Sequence, residues 1–155
     1  MSKQVFEEIT SKLGYKDKYG NSIRTKKVRL TATQVKALFT TPQTLVPAPK
    51  IDEYAVVEKI VMYLDYSGAV FTGANNLEFR ETNGAGTKVT ADITAAALNG
   101  AADAVVEVGD IEAQTTRLLN KPIVVAVPVA NPGGASATSK VTFITFYRIV
   151  KVTGL

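Results

Sequence analysis

The sequence predicts an all-β protein built as an antiparallel β-sandwich with a short N-terminal helix and arm, and the jelly roll is the specific sandwich expected. Apolar and polar residues alternate in several segments, as they do in strands with one buried face. Gly, Asn and Pro separate these segments about every ten residues, a spacing that favours antiparallel strands over βαβ units. The 155 residues are enough for one domain with its own core.

The residue types that are missing restrict the chemistry. The chain contains no His and no Cys, which excludes the commonest zinc, haem and iron-sulfur ligand sets, thiol nucleophiles and the Ser-His-Asp triad. We therefore expect no enzymatic activity and no cofactor or metal. A hydrolase acting through two carboxylates is the last-ranked alternative, since no pair of acidic residues stands out.

Positive charge is concentrated at the N-terminus. Residues 1–30 contain eight basic and three acidic residues, whereas the remainder is close to neutral. We expect two parts, a basic arm over residues 1–29 and a β-sandwich body over residues 30–155. The arm is the predicted attachment element, with a solvated leader as the alternative. Its candidate contact residues are Phe6, Lys12, Lys16, Lys18, Arg24, Lys26, Lys27 and Arg29.

The first part of the arm has helical periodicity. Ser2 can cap a short helix whose apolar stripe contains Val5, Ile9 and Leu13, and Gly14 can end it. Residues 15–27 are polar and predict a tether or loop.

The body begins with a short helix and an edge segment. Thr33 is the expected cap of one or two helical turns, which end before Pro42. Residues 44–46 are then extended. Pro47 and Pro49 exclude a central strand, so this segment belongs at a sheet edge or in a loop.

Two long strands are apolar on both faces. In residues 54–66 one face carries Ile60, Met62 and Leu64, and the other includes Val61 and Tyr63. Residues 140–152 have the same character. A strand with two apolar faces needs a second covering surface. The predicted oligomer interface is therefore Val61, Tyr63, Ile144, Phe146 and Val150.

Shorter elements fill the rest of the body. Residues 77–81 predict a strand, residues 83–86 a tight turn, and residues 87–90 the return strand. Glu78 and Arg80 share one face of that strand, where a weak surface ion pair is expected. Residues 92–98 suggest a helical turn, and residues 104–108 and 123–129 suggest two more strands.

Three segments have distinctive residues: LTATQVKALFTTPQTLVPAP (residues 30–49), IVMYLDYSGAVFTGANNLEFRETNGAGT (residues 60–87) and NKPIVVAV followed by VTFITFYRIV (residues 120–150). Together they resemble small structural proteins encoded in the head-gene regions of tailed bacteriophages. The most characteristic pieces are the short helix leading into TLVPAP, a hairpin at residues 66–73 and a final strand ending in Tyr-Arg. All are framework residues, and residues 1–29 fall outside the family pattern.

The resemblance implies a virion component of the head-decoration or head-fibre type, a β-sandwich assembled as a homotrimer. The expected partners are further copies of the chain and the major capsid protein or another virion protein, and the expected location is the virion, assembled in the host cytoplasm. A carbohydrate- or receptor-binding module of the particle is the alternative, with Phe71, Asn75 and Asn76 as its nearest candidate residues.

Two other partners are disfavoured. Nucleic-acid binding through residues 1–29 would need sequence-independent, salt-sensitive binding, and few basic residues accompany the C-terminal aromatic residues. No apolar run approaches the ~18 residues of a membrane span, and the first residues do not form a signal peptide, so a soluble, non-exported protein is expected.

Overall fold

A computed structural model of the protein describes residues 22–109 and 116–152. This part of the chain is all-β, and its sheets are antiparallel. Its elements in chain order are β1 (Arg24–Thr31), α1 (Ala32–Val35), β2 (Gln43–Val46), β3 (Glu53–Asp65), β4 (Phe71–Thr72), β5 (Glu78–Glu81), α2 (Ala95–Leu98), β6 (Ala104–Gly109), β7 (Ile123–Ala126), β8 (Gly133–Gly134) and β9 (Lys140–Lys151).

The largest sheet has four strands in the order β1-β9-β3-β6. The two long strands predicted from their alternation, β3 and β9, are its central pair. The register between them shifts from Val57 to Lys59, so Glu58 is an extra residue at a β-bulge. Alternation resumes after the bulge, and Ile60, Met62 and Leu64 are buried as predicted.

The second sheet has three strands in the order β2-β7-β5. The chain returns from β5 through the predicted turn at residues 83–86, and Val89 N donates to the carbonyl of Phe79. Isolated bridges join Arg80 to Lys88 and Leu77 to Ile93. Residues 88–93 therefore lie antiparallel to β5 on its open side. β2 lies at the sheet edge, as the nearby prolines required.

The smallest sheet corrects one expectation. Phe71 and Thr72 in β4 pair with Gly134 and Gly133 in β8, far away in the sequence. Residues 66–73 therefore do not form a hairpin with themselves. Gly134 has a φ of 64°, and a Cβ there would lie 2.5 Å from the carbonyl oxygen of Val70, so this close pairing requires glycine.

Both helices are single turns with threonine caps. Thr31, not Thr33 as expected, caps α1: its hydroxyl accepts from Gln34 N while the Gln34 side chain accepts from Thr31 N. This reciprocal pair is a capping box. In α2, Thr94 caps the predicted turn.

One hydrophobic core contains buried residues of both the four-stranded and the three-stranded sheet. Phe79 of β5 meets Phe143 of β9 edge to face, with ring centroids 5.8 Å apart and planes at 75°. Both rings are fully buried. An edge-to-face pair adds about 0.5–1.5 kcal/mol to the effect of area burial alone. The two sheets are therefore held together within one chain.

The first strand revises the predicted arm. All of Arg24–Thr31 pairs with β9, from Arg24 opposite Tyr147 to Thr31 opposite Lys140. The interpretation of residues up to 27 as a loop is therefore wrong for residues 24–27. The predicted helix from Ser2 to Leu13 lies outside the described residues, and the division into an arm and a body stays a prediction.

Candidate interaction face

The four-stranded sheet presents a continuous surface on the side away from the core, and we call it the outer face. Val141, Phe143 and Thr145 of β9 are buried on the core side, so the alternate residues of the strand point outward. The register then places the partners of those residues on the same side. The outer face comprises Thr25, Lys27, Arg29, Tyr54, Val56, Lys59, Val61, Tyr63, Val105, Glu107, Thr142, Ile144, Phe146, Arg148 and Val150.

The centre of the outer face is apolar. Val61 lies directly opposite Ile144, and Tyr63 lies one row away opposite Thr142. Tyr63 is 37% exposed and Val105, its neighbour on β6, is 65% exposed. The side chains of Val61, Ile144, Phe146 and Val150 are half-buried. The structure thus brings the five predicted interface residues onto one face.

Charged side chains cover part of this apolar surface. Lys59 Nζ lies 5.2 Å from the centroid of the Phe146 ring, and Arg148 Nε donates to Glu58 at 2.6 Å. Arg29 reaches Asp65 at 3.0 Å. The outer face is therefore an apolar strip partly covered by charged side chains and not an open hydrophobic patch.

One end of the face has a tyrosine–carboxylate contact. The Tyr63 hydroxyl donates to Asp103 Oδ2 at 3.1 Å, and Tyr66 N donates to the other carboxylate oxygen at 2.9 Å. The hydrogen bond to Asp103 is the main reason why the pKa of Tyr63 lies above its ordinary value, since ionisation would remove the donor and place two negative charges together. The contact fixes the aromatic ring on the face.

The basic residues assigned to the arm divide between two regions. Arg24, Lys26, Lys27 and Arg29 all belong to β1, the edge strand beside the outer face, and all are exposed. Exposed basic side chains on an edge strand discourage unwanted strand addition. Phe6, Lys12, Lys16 and Lys18 lie outside the described residues.

A second charged cluster lies on the three-stranded sheet and was underestimated from the sequence. Glu78 is only 6% exposed, so its contact with Arg80 is not the surface pair that was expected. Its carboxylate lies 2.6 Å from Arg80 and 2.7 Å from Lys88, and Lys88 also contacts Asp92 at 3.0 Å. The predicted turn at residues 83–86 could have indicated the contact between Glu78 and Lys88, because it brings Lys88 back beside β5.

Opposing effects set the proton affinities in this cluster. Burial of Glu78 alone would raise its pKa, but hydrogen bonds from Lys88 and Arg80 and their positive charges together hold the pKa below the ordinary value. The hydrogen bond to Glu78, opposed by burial, raises the pKa of Lys88. These groups are mutually satisfied, so their arrangement is that of a structural network.

A buried ion pair between Glu81 and Arg117 holds the segment that begins at residue 116. Glu81 is 1% exposed and accepts from Arg117 Nε at 2.7 Å and from Leu118 N at 3.2 Å. The Arg117 guanidinium also donates to the carbonyl of Ala55 and lies over the Tyr54 ring, 5.8 Å from its centroid. This buried ion pair joins β3, β5 and the chain before β7.

Two surface depressions within the described residues lack a pair of carboxylates in their lining. One lies beside Pro47 and Tyr147, and the other lies beside Phe39 and Pro128. Across residues 22–109 and 116–152, no three acidic, His or Cys side chains form a group that could hold a metal. In the same ranges no helix is long and apolar enough to span a bilayer.

The residues suggested for carbohydrate recognition have structural roles. Phe71 is 1% exposed in the core. Asn76 Oδ1 accepts from Ala95 N at the start of α2, and Asn75 Nδ2 donates to the carbonyl of Ala130. Phe71 was suggested as a candidate binding residue, but it is buried and not accessible to a carbohydrate.

Sequence reasoning missed the β6 border of the outer face. Val105 and Glu107 complete the rows that begin on β1, but β6 was only a short ambiguous segment in the sequence. The alternation of Val106, Glu107 and Val108 was the available sequence signal. No family model, curated protein or solved structure matches the chain.

Proposed function

We propose that the chain is a non-enzymatic structural protein of a tailed-phage particle, of the head-decoration or head-fibre type. In this proposal it forms a homotrimer through the outer face, and its N-terminal residues attach it to the capsid or to another virion protein. The observation that carries the proposal is the apolar strip of the outer face, in which Tyr63 and Val105 are exposed. The resemblance of residues 30–150 to phage head proteins supports the class of particle.

The strand pairing favours a jelly roll as the finer description of the fold. Pairing is nested along the chain: β1 pairs with β9, β2 with β7, β3 with β6, and β5 with residues 88–93. A long antiparallel ribbon folded over on itself produces such nesting, with the turn at residues 83–86 as its tip. Adjacent ribbon pairs then join through β9–β3 and β7–β5. Two sheets around one core are the architecture of the double Greek key.

Attachment through several arms would explain how individually weak contacts hold the protein on the particle. A trimer presents three N-terminal segments at once, so the second and third contacts form at a high effective concentration. The basic residues of these segments would favour an acidic capsid surface, and the attachment would weaken with added salt. Because β1 begins at Arg24, a deletion that tests the arm should end at residue 21 and not at residue 29.

Light scattering after size exclusion tests self-association. We expect an oligomer for the intact chain and a smaller species for Ile144→Glu, which places a charge in the apolar strip. Val129→Glu is the matched control, because Val129 is 68% exposed and lies outside the outer face. An intact chain that stays monomeric at high concentration, or an Ile144→Glu variant with unchanged mass, contradicts the proposed interface.

A capsid-binding assay tests attachment separately. Deletion of residues 1–21 should leave a folded body that no longer co-sediments with particles. A truncated protein that still decorates capsids would show that the arm is not the anchor. The alternative, a carbohydrate- or receptor-binding module, predicts specific signals on a glycan array, and the structural roles of Phe71, Asn75 and Asn76 make it the weaker proposal.

A further inference from the structure

In one row of the outer face, opposite charges lie at opposite borders of the sheet. One row of the sheet runs through Lys27, Ile144, Val61 and Glu107, each directly opposite the next. The row thus has a cation on the β1 border, two apolar residues in the middle and an anion on the β6 border. In the next row, Arg29 lies on the β1 border as well.

The two ends of this row cannot pair within one chain. Three inter-strand spacings separate β1 from β6, about 14 Å, whereas an ion pair needs about 4 Å. Among the described residues, the Lys27 ammonium forms no ion pair, and Glu107 has only a contact of 3.4 Å with Lys59. Both members of that contact are largely exposed, at 42% and 58% of their side-chain surface. Lys27 and Glu107 thus remain accessible to an outside partner.

Resting on the self-association proposed above, we infer that neighbouring copies pack around an axis parallel to the strands of the four-stranded sheet, with Lys27 of one copy paired to Glu107 of the next. Rotation about such an axis moves each row sideways without changing its height along the strands. The β1 border of one outer face therefore meets the β6 border of the following one, in the same row.

Charge repulsion also disfavours a second simple arrangement, in which a two-fold axis relates two copies. A two-fold axis that lies in the interface and crosses the strands superimposes the β1 borders of the two copies. Lys27 and Arg29 would then face the same basic residues of the partner, and like charges brought together across an interface are strongly unfavourable. The axis parallel to the strands instead joins opposite charges and buries the apolar centre of each row.

A charge exchange tests this arrangement in the full-length chain. Lys27→Glu and Glu107→Lys each place like charges at every interface, and we expect each to raise the protein concentration at half-dissociation by about tenfold or more. The double variant restores opposite charges and should recover most of the loss. Lys26→Glu is the matched control, because Lys26 is an equally exposed neighbour whose side chain alternates to the other side of β1.

The possible results distinguish a failure of this inference from a failure of the proposed self-association. An intact chain that is monomeric overturns the self-association itself. An oligomeric chain in which the double variant is no better than the single variants, or in which Lys26→Glu weakens assembly as much as Lys27→Glu, overturns the proposed axis and pairing alone. Circular dichroism of each variant confirms that the change in mass does not come from unfolding.

Discussion

Replacing Glu78 with Gln should reveal how strongly the buried charge network holds the three-stranded sheet. The substitution keeps the size of the side chain and removes its charge. The Lys88 ammonium then keeps Asp92 as a charged partner, at 3.0 Å, while Arg80 loses its contact of 2.6 Å with the carboxylate. The network therefore loses its central anion while its cations stay in place.

The size of the effect follows from burial. Removing one member of a buried ion pair typically costs about 3–5 kcal/mol. The cations here can partly rehydrate, because the Arg80 side chain is 20% exposed and that of Lys88 is 35% exposed. We therefore expect a loss of roughly 2 kcal/mol in the free energy of unfolding, which corresponds to a decrease in Tm of about 4–8 °C for a domain of this size.

The pH dependence of stability gives an independent check. Because folding lowers the pKa of Glu78 below its ordinary value of 4.5, its contribution is complete above that value and is lost as the pH falls through the folded pKa. Urea unfolding between pH 7 and pH 3 should therefore show a smaller acid-induced loss of stability in Glu78→Gln than in the parent protein. Lys88 has the opposite sign: its raised pKa gives a contribution that is complete below 10.5 and lost at higher pH.

A matched control separates the network from a general effect of losing a carboxylate. Glu53→Gln makes the same chemical change at a side chain whose carboxylate accepts one hydrogen bond of 3.3 Å, from Lys50 N, and its cost should stay within about 0.5 kcal/mol. Equal destabilisation in the two variants, or unchanged acid sensitivity in Glu78→Gln, would refute the reasoning.

Three further experiments test other parts of the structure. Phe143→Ala should cost about 3–5 kcal/mol in urea unfolding because it removes a fully buried ring shared by both sheets, and a loss below 1 kcal/mol would contradict the common core. Tyr63→Phe should remove the phenol with the raised pKa from a spectrophotometric titration, and an unchanged alkaline end of the curve would show that another tyrosine is responsible. Mixing Lys27→Glu with Glu107→Lys should restore every interface of an even-membered ring but leave one mismatched in a trimer, so full recovery on mixing would exclude the homotrimer.

The strands were predictable because their pattern depends on one physical requirement. A strand with one face in the core must alternate, and residues 59–65 of β3 showed that alternation in the sequence. The burial of Ile60, Met62 and Leu64 followed directly. Sequence also identified the apolar residues on the opposite side of both strands, but only the register shows that they form a single surface.

The first strand, β1, was not predictable from polarity. An edge strand exposed along most of its length needs few apolar residues, and in β1 only Leu30 is fully buried. Its first four residues therefore have the composition of a tether. The cap of α1 could have been predicted from the sequence, because Thr31 and Gln34 have the spacing of a capping box. Thr33 has no such partner.

The position of β1 has a mechanical consequence. β1 begins at Arg24, opposite Tyr147, and β9 ends a few residues later at Lys151. The N-terminal end of β1 and the C-terminal end of β9 therefore lie at the same edge of the fold. A pulling force that separates the two termini would load the hydrogen bonds between β1 and β9 one after another, starting at Arg24. Strands opened in sequence resist less force than strands sheared along their whole length, so tension on a tethered N-terminus would peel β1 away well before it disrupts the packed interior.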